Sequence, residues 1–259
     1  MSGVRMKIRV LGCDGGLGGE RRTVSLRVDD DILIDAGSGA GDLALDEIVR
    51  IDHIFLTHSH LDHIALLPML IDAAAEYRSK PVTVHALPET IVALRECVFD
   101  GRLWPDYSAI PSPDAPYFRY SPIAVGTPVT FGERRITPLP ARHSVPGVGY
   151  QMDSGSAAFV YSGDTTLDER FWAALNRIPE LKHLMIECTF LDAHAAIAER
   201  SGHMTPALLA LGLQRLEKPA EVLIAHMESG REEAMLAEIA SHVRGRPFRR
   251  LLRGEIFEL

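Results

Sequence analysis

Between Thr57 and His63 the chain reads Thr-His-Ser-His-Leu-Asp-His, placing four metal-type ligands within six residues. The segment directly follows the apolar run Ile54-Phe55-Leu56, which has the pattern of a buried strand. Side chains two residues apart on extended backbone leave on the same side, so His58 and His60 aim at one point. Leu61 then turns the chain inward, and Asp62 and His63 open a helical run expected over residues 62–77. The two pairs face neighbouring points, and two cations about 3.5–4 Å apart are their natural occupants. The alternative is a solvated, histidine-rich turn. A buried strand leading straight into three histidines and an aspartate argues against it.

The run His58-Ser59-His60-Leu61-Asp62-His63 resembles the HxHxDH signature of the metallo-β-lactamase fold superfamily. That resemblance implies an α/β fold, an αββα sandwich with a dinuclear metal site at one edge. It also implies that residues 1–259 form a single hydrolase domain of this type. One such scaffold serves many chemistries, so the substrate has to be read elsewhere.

Composition narrows the setting. With 259 residues, 46% of them hydrophobic, the chain can bury a large core. No apolar run approaches membrane-spanning length, and the start MSGVRMKIRVLG lacks the features of a secretory leader. Cys13, Cys97 and Cys188 are odd in number and widely spaced, against a disulfide framework. The expectation is a cytoplasmic protein without membrane contact. The net charge is −8 and no block of Lys and Arg stands out. Arg244, Arg246, Arg249, Arg250 and Arg253 read as a solvated strand-and-loop face, so nucleic acid is not the expected partner.

Strands are expected at residues 7–11, 23–28, 31–35, 54–56, 81–86, 150–152, 157–161, 181–186 and 221–225, with a hairpin over 129–138. Helices are expected at 43–49, 89–98, 192–200 and 207–216. The loop at 12–19 contains neither a dinucleotide-binding nor a P-loop pattern, and its glycines suit a tight turn beside a pocket. Residues 99–125 are irregular and rich in proline and aromatic side chains, which suits a pocket wall or a subunit contact. Asp35 has two open readings, an acceptor orienting a metal-bound histidine or a simple turn cap. His53, His85, His183, His194 and His242 read as structural or surface residues, and Cys188 as core.

By the resemblance, His143 in a strand-end loop, Asp164 in Ser162-Gly163-Asp164-Thr165 and His226 at a strand end complete a seven-ligand set. His58, His60 and His143 would hold one cation, and Asp62, His63 and His226 the other, with Asp164 bridging. Such nitrogen and oxygen donors suit Zn2+, with Mn2+ or Fe2+ as alternatives. Glu187-Cys188-Thr189-Phe190 and Gly202-His203-Met204-Thr205-Pro206 resemble the phosphodiesterase branch, which holds ribonuclease Z and the class II cyclic-nucleotide phosphodiesterases. Phe99 to Asp106 is similar to the class II family, whereas the run from Ile64 to Asp72 departs from its usual pattern. The resemblance implies hydrolysis of the 3′ ester of cAMP or cGMP to the nucleoside 5′-monophosphate by a metal-bridging hydroxide. Asp62 and His203 would be catalytic, His203 donating a proton to the leaving oxygen or holding the phosphoryl group. Trp104, Tyr107 and His203 would meet the substrate, in a homodimer. The alternatives are a tRNA 3′-processing endonuclease and a non-catalytic, metal-dependent nucleotide sensor.

Overall fold

Period-two alternation builds two sheets whose strands bury both faces. The computed structural model describes residues 6–259, so the Met-Ser-Gly start lies outside the described residues. The first sheet contains β1 (Lys7–Gly12), β2 (Ser25–Val28), β3 (Ile32–Ile34), β4 (His53–Phe55) and β5 (Val82–Ala86). A small ribbon follows, β6 (Pro111–Ser112) with β7 (Ala115–Pro116), and then β8 (Phe118–Pro122). The second sheet runs through β9 (Val129–Phe131), β10 (Arg134–Pro140), β11 (Val148–Asp153), β12 (Ala158–Tyr161), β13 (Leu181–Glu187), β14 (Glu221–Ala225) and β15 (Phe248–Arg250). The chain closes with β16 (Ile256–Glu258), which returns to the first sheet beside β1. The sheet orders are β16-β1-β2-β3-β4-β5-β8 and β15-β14-β13-β12-β11-β10-β9.

Alternate residues divide between layers, as the pleat requires. On β14, Leu223 and Ala225 enter the core between the sheets, while Val222 and Ile224 pack outward. The inner core also takes Ile8, Leu26, Phe55, Tyr150, Phe159 and Met185. The first sheet's outer face is covered by α1 (Leu45–Arg50), α3 (Leu67–Ala75) and α4 (Pro88–Cys97). The short α2 (Leu61–Ile64) precedes α3. The second sheet's outer face carries α5 (Glu169–Asn176), α7 (Pro206–Leu213) and α8 (Glu232–His242), with α6 (Ala195–Ser201) leading into α7. This is the αββα sandwich. Among the described residues no helix is long and apolar enough to cross a membrane.

Two expectations need correction. The helix expected over 62–77 is broken between Ile64 and Leu67, because Pro68 removes a donor and its ring collides with the carbonyl four residues back, that of Ile64. The stretch 99–125 is not irregular throughout. Phe118 is fully buried, and its strand pairs in parallel with β5 at the sheet edge. An edge tolerates Pro122, whose missing N–H costs no ladder bond there.

Helix α7 approaches α5 closely because position 212 carries no side chain. A Cβ there would lie 2.1 Å from Cζ2 of the buried Trp172. We predict that Gly212→Ala costs about 1–3 kcal/mol of stability through overpacking. A urea midpoint equal to wild type would contradict this packing.

Candidate metal centre

Every residue of the expected ligand set comes from one edge of the sandwich, where strands end. His58 follows β4, and His60 is the N-cap of α2, which carries Asp62 and His63. His143, Asp164 and His226 follow β10, β12 and β14. The ligand atoms of His58, His60 and His143 lie within 4.8 Å of one another, as do those of Asp62, His63, Asp164 and His226. His60 Nδ1 is 3.1 Å from His143 Nε2. Asp62 Oδ2 lies 3.2 Å from His226 Nε2 and 3.3 Å from His63 Nε2. Asp164 faces both groups. Its Oδ2 is 3.4 Å from His63 Nε2, 3.7 Å from His58 Nε2 and 3.8 Å from His143 Nε2, while Oδ1 is 3.4 Å from His226 Nε2.

The donor set fits divalent cations on its own geometry. His58 Nε2, His63 Nε2 and Asp164 Oδ1 are buried without a hydrogen-bond partner, which proteins rarely leave uncompensated. All three belong to side chains that converge on one cleft. Burial penalises the Asp164 carboxylate, but the imidazoles of His226 and His63 outweigh it and hold the group well below its usual range. Burial and the neighbouring His63 push His58 well down, so it stays a neutral ligand. Asp62 is likewise held low, with His226 and His63 overcoming the cost of burial.

The distal ring nitrogens settle how these imidazoles are aimed. Asp35, fully buried after β3, accepts from Nδ1–H of His63 at 2.7 Å. It also accepts the Thr57 amide at 2.8 Å and the Thr57 hydroxyl at 2.9 Å. Of the two roles open for Asp35, the structure therefore places it behind a cleft histidine. Thr57 Oγ1 lies 3.0 Å from His58 Nδ1, and the Gly202 carbonyl accepts from His143 Nδ1–H at 3.1 Å. Both Asp35 (φ 56°) and His226 (φ 54°) adopt the left-handed region, uncommon for residues with a Cβ. The glycine loop holds His226 there. Gly15 donates to the Met227 carbonyl, His226 donates to that of Cys13, and a Cβ on Gly15 would come within 2.7 Å of the His226 carbonyl.

His203 stands beside this set, its ring 4.7 Å from His143 and 5.4 Å from His226, and its ligand atom lies within 4.8 Å of those of His143 and Asp164. Its Nδ1–H donates to Glu187 at 2.9 Å. Burial opposes its charged form, but the Glu187 carboxylate prevails and pushes His203 up to about 9. Glu187, Thr57 and Thr189 had no role assigned from the sequence, although Glu187-x-Thr189 stands inside a motif already singled out.

Trp104 and Tyr107 are not brought to this cleft. Both pack on the outer layer of the first sheet, where the Tyr107 hydroxyl donates to Asp72 of α3 at 2.5 Å and its ring meets Tyr117. Their apolar surface is used to seat the 99–125 segment against the helices. Four of the remaining histidines, His53, His85, His183 and His242, have local side-chain partners. His85 stacks on Phe55 and bonds His53, His183 pairs with Glu221, and His242 with Asp192. Cys188 is fully buried.

A family model described as a beta-lactamase superfamily domain matches residues 30–227. The chain belongs to the metallo-β-lactamase superfamily. Within it, a Yersinia pestis protein named "Probable 3',5'-cyclic-nucleotide phosphodiesterase" is 26% identical over 226 residues, 80% of this chain. The chain spans only 62% of that relative's length. A ribonuclease Z from Bradyrhizobium diazoefficiens is 29% identical over 265 residues, covering 81% of this chain and 84% of the relative. The crystal structure of unliganded yeast PDE1 superposes with a TM-score of 0.80 at 19% identity, covering 99% of this chain and 100% of that one. That likeness speaks for the fold.

Replacing Asp35 by Asn removes the charge that draws in Nδ1–H of His63. We predict a ten- to hundredfold loss of Zn2+ affinity, read by competition with a chromogenic chelator. Wild-type affinity in Asp35→Asn would contradict the orienting role.

Proposed function

We propose that this protein is a dinuclear metal-dependent phosphodiesterase that opens 3′,5′-cyclic nucleotides to nucleoside 5′-monophosphates. His58, His60 and His143 would hold one cation, and Asp62, His63 and His226 the other, with Asp164 between them. Two bound divalent cations, with Zn2+ best suited to these donors, supply Lewis acidity and activate water at neutral pH.

The observation that carries the phosphodiester reading is the placement of His203, held by Glu187 beside His143 and Asp164. Hydrolysis of a cyclic phosphodiester puts the oxygen of water on phosphorus and a proton on the departing 3′ oxygen. His203, its Nδ1–H held by Glu187, would supply that proton as general acid. Asp62 has a side chain one-third exposed, so it can reach both the attacking water and its neighbour His226. The relatives named as cyclic-nucleotide phosphodiesterases support the same reading.

The ribonuclease Z relatives favour a second reading, cleavage of an RNA 3′ end. The arginines weigh against it. Arg246 donates to the Leu216 and Lys218 carbonyls, Arg249 pairs with Glu221 and Glu255, Arg250 with Asp14, and Arg253 with Glu20 and Asp42. The guanidiniums of Arg249, Arg250 and Arg253, already paired with carboxylates, have little to offer a polyanion.

Metal-loaded protein should convert cAMP or cGMP to the 5′-monophosphate, resolved by chromatography. His203→Ala should lower kcat by about 10²–10⁴ with metal content intact. Inertness toward both nucleotides together with cleavage of a precursor tRNA would establish the second reading instead.

A further inference from the structure

We propose that Thr189 is a positioning residue whose hydroxyl extends the hold of one buried carboxylate, Glu187, from His203 to a second imidazole, His226. The inference rests on the two-cation reading of the cleft and concerns how this chain prepares the second seat.

The argument is one of hydrogen-bond polarity. Glu187 is fully buried at the end of β13. An ionised carboxylate only accepts. It receives the Thr165 amide at 2.7 Å, the Met204 amide at 3.2 Å, Nδ1–H of His203 at 2.9 Å and the Thr189 hydroxyl at 2.7 Å. The single proton of Thr189 is therefore committed to Glu187. What its oxygen presents to His226 Nδ1, 3.0 Å away, is a lone pair. The His226 nitrogen on that side must carry a hydrogen. With Nδ1 donating to the threonine, Nε2 is the nitrogen left to face the cleft. That atom faces Asp62 Oδ2 at 3.2 Å and Asp164 Oδ1 at 3.4 Å. Nε2 lies within hydrogen-bond distance of Asp62, where a bound cation would take the place of a proton, so the hydroxyl fixes which nitrogen of His226 is offered to the seat.

The same device recurs in the other sheet. Thr57, after β4, gives its hydroxyl proton to Asp35, and its oxygen faces His58 Nδ1 at 3.0 Å. Each sheet thus contributes one buried carboxylate and one threonine, and each threonine carries the carboxylate's preference to a ring the carboxylate does not itself touch. Thr189 has the larger burden, because His226 sits on left-handed backbone and Thr189 also lies 3.2 Å from His203 Nδ1. His203 keeps its own bond to Glu187 if the hydroxyl is lost. Among the described residues His226 Nδ1 has no other recorded acceptor, and the alternative tautomer would place a hydrogen where the cation belongs.

The test is a cadmium-113 titration of the full chain followed by NMR, which reads the two seats separately. Wild type should show two resonances. Thr189→Val, equal in shape but without the hydroxyl, should fill the His58/His60/His143 seat normally and need at least about tenfold more cadmium for the second. Thr189→Ser should restore the wild-type titration. Thr189→Ala, also lacking the hydroxyl, takes the place of valine if that variant does not fold. A hydroxyl-free variant that fills both seats like wild type, or weakens both equally, would overturn the proposal. So would a serine variant as impaired as valine. A single resonance in wild type would instead remove the two-cation reading on which the proposal stands.

Discussion

The structure is arranged around two carboxylates and the imidazoles crowded about them. Asp164 is buried with four imidazoles around it, and a second carboxylate, Asp62, shares two of those imidazoles. Left dry, acceptors this close repel one another, and no nearby donor relieves Asp164 Oδ1. The protein holds them together by fastening each ring from behind. Asp35, Thr57, Gly202 and Thr189 engage the distal nitrogens, and the strand ends supply the rigidity. The cost is visible in the backbone, where Asp35 and His226 adopt conformations that residues with a Cβ seldom take.

That demand explains the architecture on either side. Parallel stretches such as β3-β4-β5 and β12-β13-β14 end at the same edge, so their following loops converge without long excursions. Both sheets are buried on both faces, which keeps those ends from shifting. Glycine matters where chain meets chain. Gly15 allows the first loop to lie against His226, and Gly202, itself left-handed, places its carbonyl on His143.

Much of this was legible because it is local in sequence. Alternation in Lys7 to Leu11 and the apolar run before His58 specify strands by period alone, and the six-residue motif carries its own geometry. What escaped was non-local. Phe118–Pro122 reads as loop because its prolines mask a strand that only the edge of β5 completes. The return of Ile256–Glu258 to β1 bridges nearly the whole chain and leaves no local signal. Trp104 and Tyr107 looked like pocket residues because large rings in an irregular stretch serve either a ligand or a neighbouring helix, and only tertiary packing decides. Asp35 could be read as an orienting acceptor or a turn cap, and Thr189 only as a letter in a motif, since their roles depend on side chains brought to them by other strands.

The central claim is that these residues hold two cations, one on each side of Asp164. Anomalous scattering measured at the zinc edge from crystals of the zinc-loaded protein addresses it directly. The account requires two peaks, one among His58, His60 and His143 and one among Asp62, His63 and His226, with Asp164 reaching both. A single peak, or peaks away from Asp164, would contradict it.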